Sequence, residues 1–124
     1  MAKILVAEDE KNLLNLFSSA LERMGHAVIR SPDGKLAWDI LQANPDIQLV
    51  VCDIVMPGLD GRQLIQCIRE RPEFAQLPVI AVSGVIRAKE IAKLLEQGAS
   101  CFLSKPVDVQ ELRETVTRFL SGKA

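Results

Sequence analysis

The sequence contains one histidine, His26, so histidine cannot be paired with histidine in a metal site or a proton relay. It opens a short apolar run and reads as structural or exposed. Cysteine is also scarce. Cys52, Cys67 and Cys101 are odd in number and widely spaced, with no C-x-x-C pair. They read as reduced, packed thiols of a cytoplasmic protein rather than as a disulfide framework. No apolar run reaches the roughly 18 residues of a membrane span. The opening "MAKILVAEDE" turns acidic by residue 8, which argues against a signal segment. Neither charge dominates: 15 basic and 16 acidic residues leave a net charge of −1. That balance argues against a nucleic-acid-binding or polybasic membrane surface. Linkers, repeats and low-complexity stretches are missing too. The 124 residues, 48% hydrophobic and 25% charged, are expected to form one soluble domain over positions 1–124.

Short apolar runs alternate with segments of helical period. "KILVA" (Lys3–Ala7), "HAVIR" (His26–Arg30), "IQLVVC" (Ile47–Cys52), "PVIAV" (Pro78–Val82) and "CFLS" (Cys101–Ser104) read as strands. Between them, apolar residues recur at helical spacing: Leu14, Phe17, Leu21 and Met24; then Leu36, Ala37, Ile40 and Leu41; then Leu64, Ile65 and Ile68; then Ile91, Leu94 and Leu95. Leu112, Val116, Phe119 and Leu120 mark a final helix. Asp60 with Gln63, and Asp108 with Glu111, have capping-box spacing. "RERPE" (Arg69–Glu73) reads as a solvated helix end, and Trp38 as a half-covered surface residue. Repeated β-α units predict an α/β fold, a parallel sheet with helices on both faces. Continuous apolar strands such as "LVVC" agree with burial on both sides.

In such sheets ligands bind beyond the carboxyl ends of the strands. Glu8 and Asp9 follow the first strand, Asp53 the third, Ser83 the fourth and Lys105 the fifth. Asp53 is therefore expected at the mouth of the sheet, facing other charges rather than deeply buried. Clustered carboxylates want a cation. Mg²⁺ takes one or two carboxylates, keeps several waters and accepts phosphate oxygens. A carboxylate can also act as a nucleophile and form an aspartyl phosphate. A lysine and a hydroxyl can then bond the phosphoryl oxygens. The set reads as a phosphoryl-acceptor site.

From "ILVAEDE" to the final helix, the sequence resembles the receiver domain of bacterial response regulators. The resemblance rests on the acidic pair after strand one, "D-x-x-M-P-G-x-D-G" around Asp53, "SG" after strand four and "SKP" after strand five. It implies a single-domain, doubly wound (βα)5 fold with a five-stranded parallel sheet of order 2-1-3-4-5. It implies that Asp53 is the phosphorylated residue, that Glu8 and Asp9 hold Mg²⁺ with Asp53, and that the Val55 backbone carbonyl completes the metal shell. Lys105 matches the family lysine, followed by a cis bond to Pro106. Ser83 and Phe102 match the switch residues, although tyrosine is common at the latter position. The implied role is a signalling phosphoacceptor rather than a turnover enzyme. Its implied partners are a histidine kinase or histidine phosphotransfer protein, and a downstream protein on the face made by the fourth helix, fifth strand and fifth helix.

Two other readings remain open here. A haloacid-dehalogenase-type hydrolase would want a second acid where Val55 stands, and a cap for which the chain has no spare length. An unphosphorylated interaction module would not need the full Asp9, Asp53, Ser83 and Lys105 set. "GASCF" (Gly98–Phe102) lacks the acids with which receivers of winged-helix DNA-binding regulators dimerise, which favours a stand-alone receiver over one cut from a longer chain. On the first helix, Leu13 and Leu16 fall outside the core stripe and are expected to form an exposed patch for the kinase, extended by Pro106 and Val107. Val55 and Val85 are expected to flank the water approach to a phosphorylated Asp53 and to prolong that state.

Overall fold

A computed structural model describes residues 1–84 and 87–122. Strands and helices alternate: β1 (Lys3–Ala7), α1 (Lys11–Glu22), β2 (Ala27–Ser31), α2 (Gly34–Ala43), β3 (Leu49–Asp53), α3 (Gly61–Arg69), β4 (Val79–Ser83), α4 (Ala88–Glu96), β5 (Cys101–Ser104) and α5 (Val109–Leu120). A 3-10 turn, Pro72–Phe74, lies between α3 and β4. The strands pair in parallel in the order β2-β1-β3-β4-β5, as expected.

The two-residue period of a strand sorts its side chains between two cores. Ile4 and Val6 of β1, Leu49 and Val51 of β3, and Ile80 and Val82 of β4 meet Leu14, Phe17 and Leu21 of α1 and Leu112 and Val116 of α5. The alternate residues, Leu5, Val50, Cys52, Val79 and Ala81, meet Ala37 and Leu41 of α2, the α3 stripe, and Leu94 of α4. All five residues of β3 are buried, which explains its unbroken apolar sequence. Fully burying a leucine or isoleucine contributes roughly 1.5–3 kcal/mol. On that scale α3, which buries Leu64, Ile65 and Ile68, is held more firmly than α4, which fully buries Leu94.

Several local expectations change. Leu36 and Leu95, assigned to core stripes, are exposed. Each sits at the edge of its helix's apolar face, where one turn of helix cannot bury every leucine. Met24 is only half-buried. Leu16 is 46% exposed, whereas Leu13 is half-buried against the α1–α5 core. The Asp60–Gln63 capping box forms in both directions. Asp108 instead accepts from Gln110 N at 2.7 Å, so its cap closes one residue early and Glu111 takes no part in it. Arg69–Glu73 is solvated at Glu70, Pro72 and Glu73 as expected, but Arg69 donates to three carbonyls, and Arg71 lies over Trp38 at 5.7 Å while pairing with Glu73. Among the described residues, no helix is long and apolar enough to cross a membrane.

Gly61, the first residue of α3, lets the loop after β3 fold back onto the strand end. Its N–H donates to Ile54 O at 2.9 Å. A Cβ there would lie 2.5 Å from Asp53 O and 2.6 Å from Ile54 Cα, both backbone atoms that cannot yield cheaply. Gly61→Ala is therefore expected to lower the unfolding free energy by about 1–3 kcal/mol, the usual cost of overpacking. Urea denaturation checks it, and a midpoint equal to the parent's would refute the steric argument.

Candidate functional site

β1 and β3 are neighbours, but the chain leaves them for opposite faces, through α1 and α3 respectively. Such a switch point opens a crevice at the carboxyl ends of the strands. Glu8 and Asp9 enter it directly after β1, and Asp53 is the last residue of β3. Ser83 ends β4, one step beyond Val82, the registry partner of Asp53. Lys105 follows β5, and its N–H donates to Ser83 O at 2.7 Å, which sets where the lysine stands.

One ammonium serves two carboxylates. Lys105 Nζ donates to Asp53 Oδ2 at 3.2 Å and lies 3.1 Å from Glu8 Oε1. The second contact is an ion pair without hydrogen-bond alignment, so buried Glu8 Oε1 has no hydrogen-bond partner. Glu8 Oε2 accepts from Glu10 N at 3.1 Å, and Asp53 Oδ1 accepts from Val55 N at 3.3 Å. Glu8 is 1% and Asp53 4% exposed, while Asp9 is open to solvent. The expectation that Asp53 avoids deep burial is thus corrected. Its carboxylate is met by the Lys105 ammonium and by the Val55 N–H.

The electrostatics follow. Burial, opposed by the Glu10 N–H and reinforced by Asp53, pushes the Glu8 carboxyl up to about 7. Burial pulls the Lys105 ammonium down, but its contacts with the Glu8 and Asp53 carboxylates outweigh it and hold the group above its ordinary value. Burial drives the Cys52 thiol up to about 12, with Asp53 and Asp60 adding to it. Three carboxylates against one ammonium leave uncompensated negative charge. Oxygens of Glu8, Asp9 and Asp53 lie within 4.8 Å of one another. An all-oxygen, anionic set with an orphaned buried oxygen suits a hard divalent cation.

The family described as response regulator receiver domain matches residues 4–117. The chain belongs to the response regulator receiver family. It is 33% identical over 123 residues to Protein PilH of Pseudomonas aeruginosa, covering 98% of this chain and 100% of PilH. It is 29% identical to a Chemotaxis protein CheY homolog of Campylobacter jejuni, covering 90% of this chain and 87% of that one. The receiver domain of the Francisella response regulator 1452 superposes with a TM-score of 0.90 at 27% identity, over 100% of both chains. This receiver domain is accordingly a component of two-component signalling, a family whose general properties are aspartate phosphorylation and Mg²⁺ dependence.

Within the receiver, Glu8, Asp9, Asp53 and Lys105 come together as the sequence suggests, and Ser83 borders them. The Lys105–Pro106 bond is cis. Phe102 is half-buried against the α2–α4 core layer. Val55 is 70% exposed just beyond Asp53. Val85 lies outside the described residues. Sequence reasoning missed the Arg69 carbonyl contacts, because three backbone acceptors carry no sequence signature.

Glu8 carries a testable sign. Its folded carboxyl is raised above its unfolded value, so the folded state binds the extra proton between about pH 4.5 and 7. The stability this contributes is present below that window and is lost as pH rises through about 7. Without divalent cations, Glu8→Gln is expected to be more stable than the parent at pH 8 and to lose that advantage at pH 5. Denaturant midpoints in a chelator at both pH values check it, and a variant less stable at pH 8 would contradict the burial argument.

Proposed function

We propose that Asp53 is the phosphoacceptor of this receiver domain, taking the group from the phosphohistidine of a histidine kinase or histidine phosphotransfer protein. The observation that carries this reading is the pairing of a nearly buried Asp53 with Lys105 inside the Glu8–Asp9 carboxylate cluster. An Asp53 oxygen attacks phosphorus, the phosphorus–nitrogen bond breaks, and the imidazole keeps its electron pair. Glu8, Asp9, Asp53 and the Val55 carbonyl would hold Mg²⁺, which when bound neutralises charge on the phosphoryl oxygens. Lys105 stands ready to move from the Asp53 carboxylate to a phosphoryl oxygen, and Ser83 offers a hydroxyl from the adjacent strand. Withdrawal of Ser83 makes room for Phe102 to pack further inward, and the α4-β5-α5 face changes for a downstream protein. The near-neutral charge favours protein partners over direct nucleic-acid or membrane binding. Three free cysteines fit the cytoplasm.

Leu16, the exposed leucine of α1, is the best candidate on that helix for a kinase contact. Incubation with a small acyl phosphate and Mg²⁺ is expected to add one phosphoryl group to the parent and to Leu16→Asp, and none to Asp53→Ala, by intact mass. Transfer from a cognate kinase is expected to slow about tenfold or more in Leu16→Asp, the effect of about 1.4 kcal/mol. Labelling of Asp53→Ala at the parent's rate would overturn the acceptor assignment. Equal loss with both donors would overturn the docking role of Leu16.

Val55 places an apolar side chain, with neither donor nor acceptor, at the solvent approach to Asp53. Val55→Asn is expected to hasten loss of the phosphoryl group by about tenfold, a barrier change of about 1.4 kcal/mol and less than a fully positioned acid or base supplies. Unchanged or slower loss, at saturating Mg²⁺, would sink the shielding role.

A further inference from the structure

Two stretches of chain bring oxygens to the carboxylate cluster. One is the turn after β1, with Glu8 and Asp9. The other is the loop after β3, which runs from Asp53 through Val55 to Gly61. A corner that gives the cluster no carboxylate touches both stretches. It is Ser31–Gly34, where β2 passes into α2. Ser31 pairs with Ala7, the last residue of β1, and Ser31 O accepts from Glu8 N at 3.0 Å. The corner is itself braced. The buried Ser31 hydroxyl donates to Asp33 O at 2.7 Å, and Asp33 Oδ1 accepts from Leu36 N at 2.7 Å.

The contact with the second stretch is closer. Gly34, the first residue of α2, lies directly against Leu59. A Cβ on Gly34 would stand 1.8 Å from Leu59 O and 2.8 Å from Leu59 C, both backbone atoms. The φ of Gly34 is not positive, so its backbone would accept an alanine. The glycine is needed for room and not for conformation. Leu59 is half-buried against the α2–α3 core layer. Two residues on, Gly61 closes the loop onto Ile54 O. The limb returning from Val55 is thus seated on α2 at Leu59 and on the strand end at Gly61.

We propose that Gly34 is a positioning residue for a divalent cation held by the cluster: its bare α-carbon lets the loop sit where the Val55 carbonyl can share the cation with Glu8, Asp9 and Asp53. Through Ser31 the same corner fixes the Glu8 side, so one element sets the spacing between the two stretches. The role rests on the reading that those oxygens hold Mg²⁺. An alanine at position 34 would make the Leu59 segment retreat by roughly 1 Å or more before reaching ordinary contact. A shift of that size matters most to a small ion. Mg²⁺ demands a near-ideal octahedron, whereas Ca²⁺ accepts more oxygens in irregular geometry. Outer residues that orient metal ligands typically govern about ten- to a hundredfold in affinity.

Titration of the cation-free protein with Mg²⁺ or Ca²⁺, followed by NMR at the amides of Glu8–Glu10 and Ile54–Met56, tests it without any phosphoryl transfer. Gly34→Ala is expected to weaken Mg²⁺ binding about tenfold and Ca²⁺ binding by about twofold at most. Leu41→Ala, two turns along α2, leaves a cavity in the same core layer. It is expected to leave both affinities within about twofold of the parent's, because lost stability alone does not choose between ions. Ser31→Ala adds no bulk and removes the brace on Asp33 O. It is expected to weaken Mg²⁺ binding about threefold, and it decides the matter if Gly34→Ala does not fold. Unchanged Mg²⁺ affinity in Gly34→Ala, or in Ser31→Ala where the former is unfolded, would overturn the positioning role. So would an equal loss for the two ions in Gly34→Ala, or a Mg²⁺ loss of the same size in Leu41→Ala. No response of the parent's amides to Mg²⁺ would overturn the cation reading itself, and the role with it.

Discussion

The structure depends on how two nearly buried carboxylates are tolerated at the end of a parallel sheet. Glu8 and Asp53 are removed from water, and an isolated buried charge is prohibitively costly. Lys105 is within reach of both because β5 lies two strands from β3 and its loop is tied to Ser83 O. The compensation remains incomplete, and the raised carboxyl of Glu8 is the sign of it. A site left short of positive charge is primed for a cation and for redistribution of its lysine. The chemistry proposed for it uses both.

The remainder of the fold divides the labour. The α1–α5 core and the α2–α3 layer clamp the strands that carry the carboxylates. Buried leucines and isoleucines do this without any polar device. α4 stands apart, with a single fully buried leucine and a guanidinium fork in place of a stripe. Hydrogen bonds to carbonyls are directional, so they fix a point, whereas an apolar stripe fixes a whole face.

Much of this was legible in the sequence because strand periodicity and strand-end chemistry are local signals. The β-α alternation and the convergence of Glu8, Asp9, Asp53 and Lys105 follow from them, whereas the sheet order came only with the family resemblance. What was not legible depends on neighbours distant in sequence. Asp53 is buried at a strand end where Glu8 and Lys105 arrive from other strands. Leu13 is half-covered by packing at the α1–α5 core, while Leu16, three residues on, is exposed. Arg69 looks like a solvated helix end until the carbonyls of Phe74, Leu77 and Gly98 are in place around it. Asp108 has capping-box spacing yet closes on Gln110, because spacing alone does not determine the backbone angle at a helix start.

The single tryptophan also has an optical meaning. The chain has no tyrosine, so Trp38 is its dominant ultraviolet emitter. Its ring meets Phe74 edge-on at 6.1 Å, with the Arg71 guanidinium 5.7 Å from it. Native fluorescence is therefore a gauge of the corner where α2 meets the 3-10 turn before β4. The carboxylate cluster has no emitter of its own, so spectral changes produced by a cation or a phosphoryl group would measure how far a disturbance travels through the α2–α3 layer.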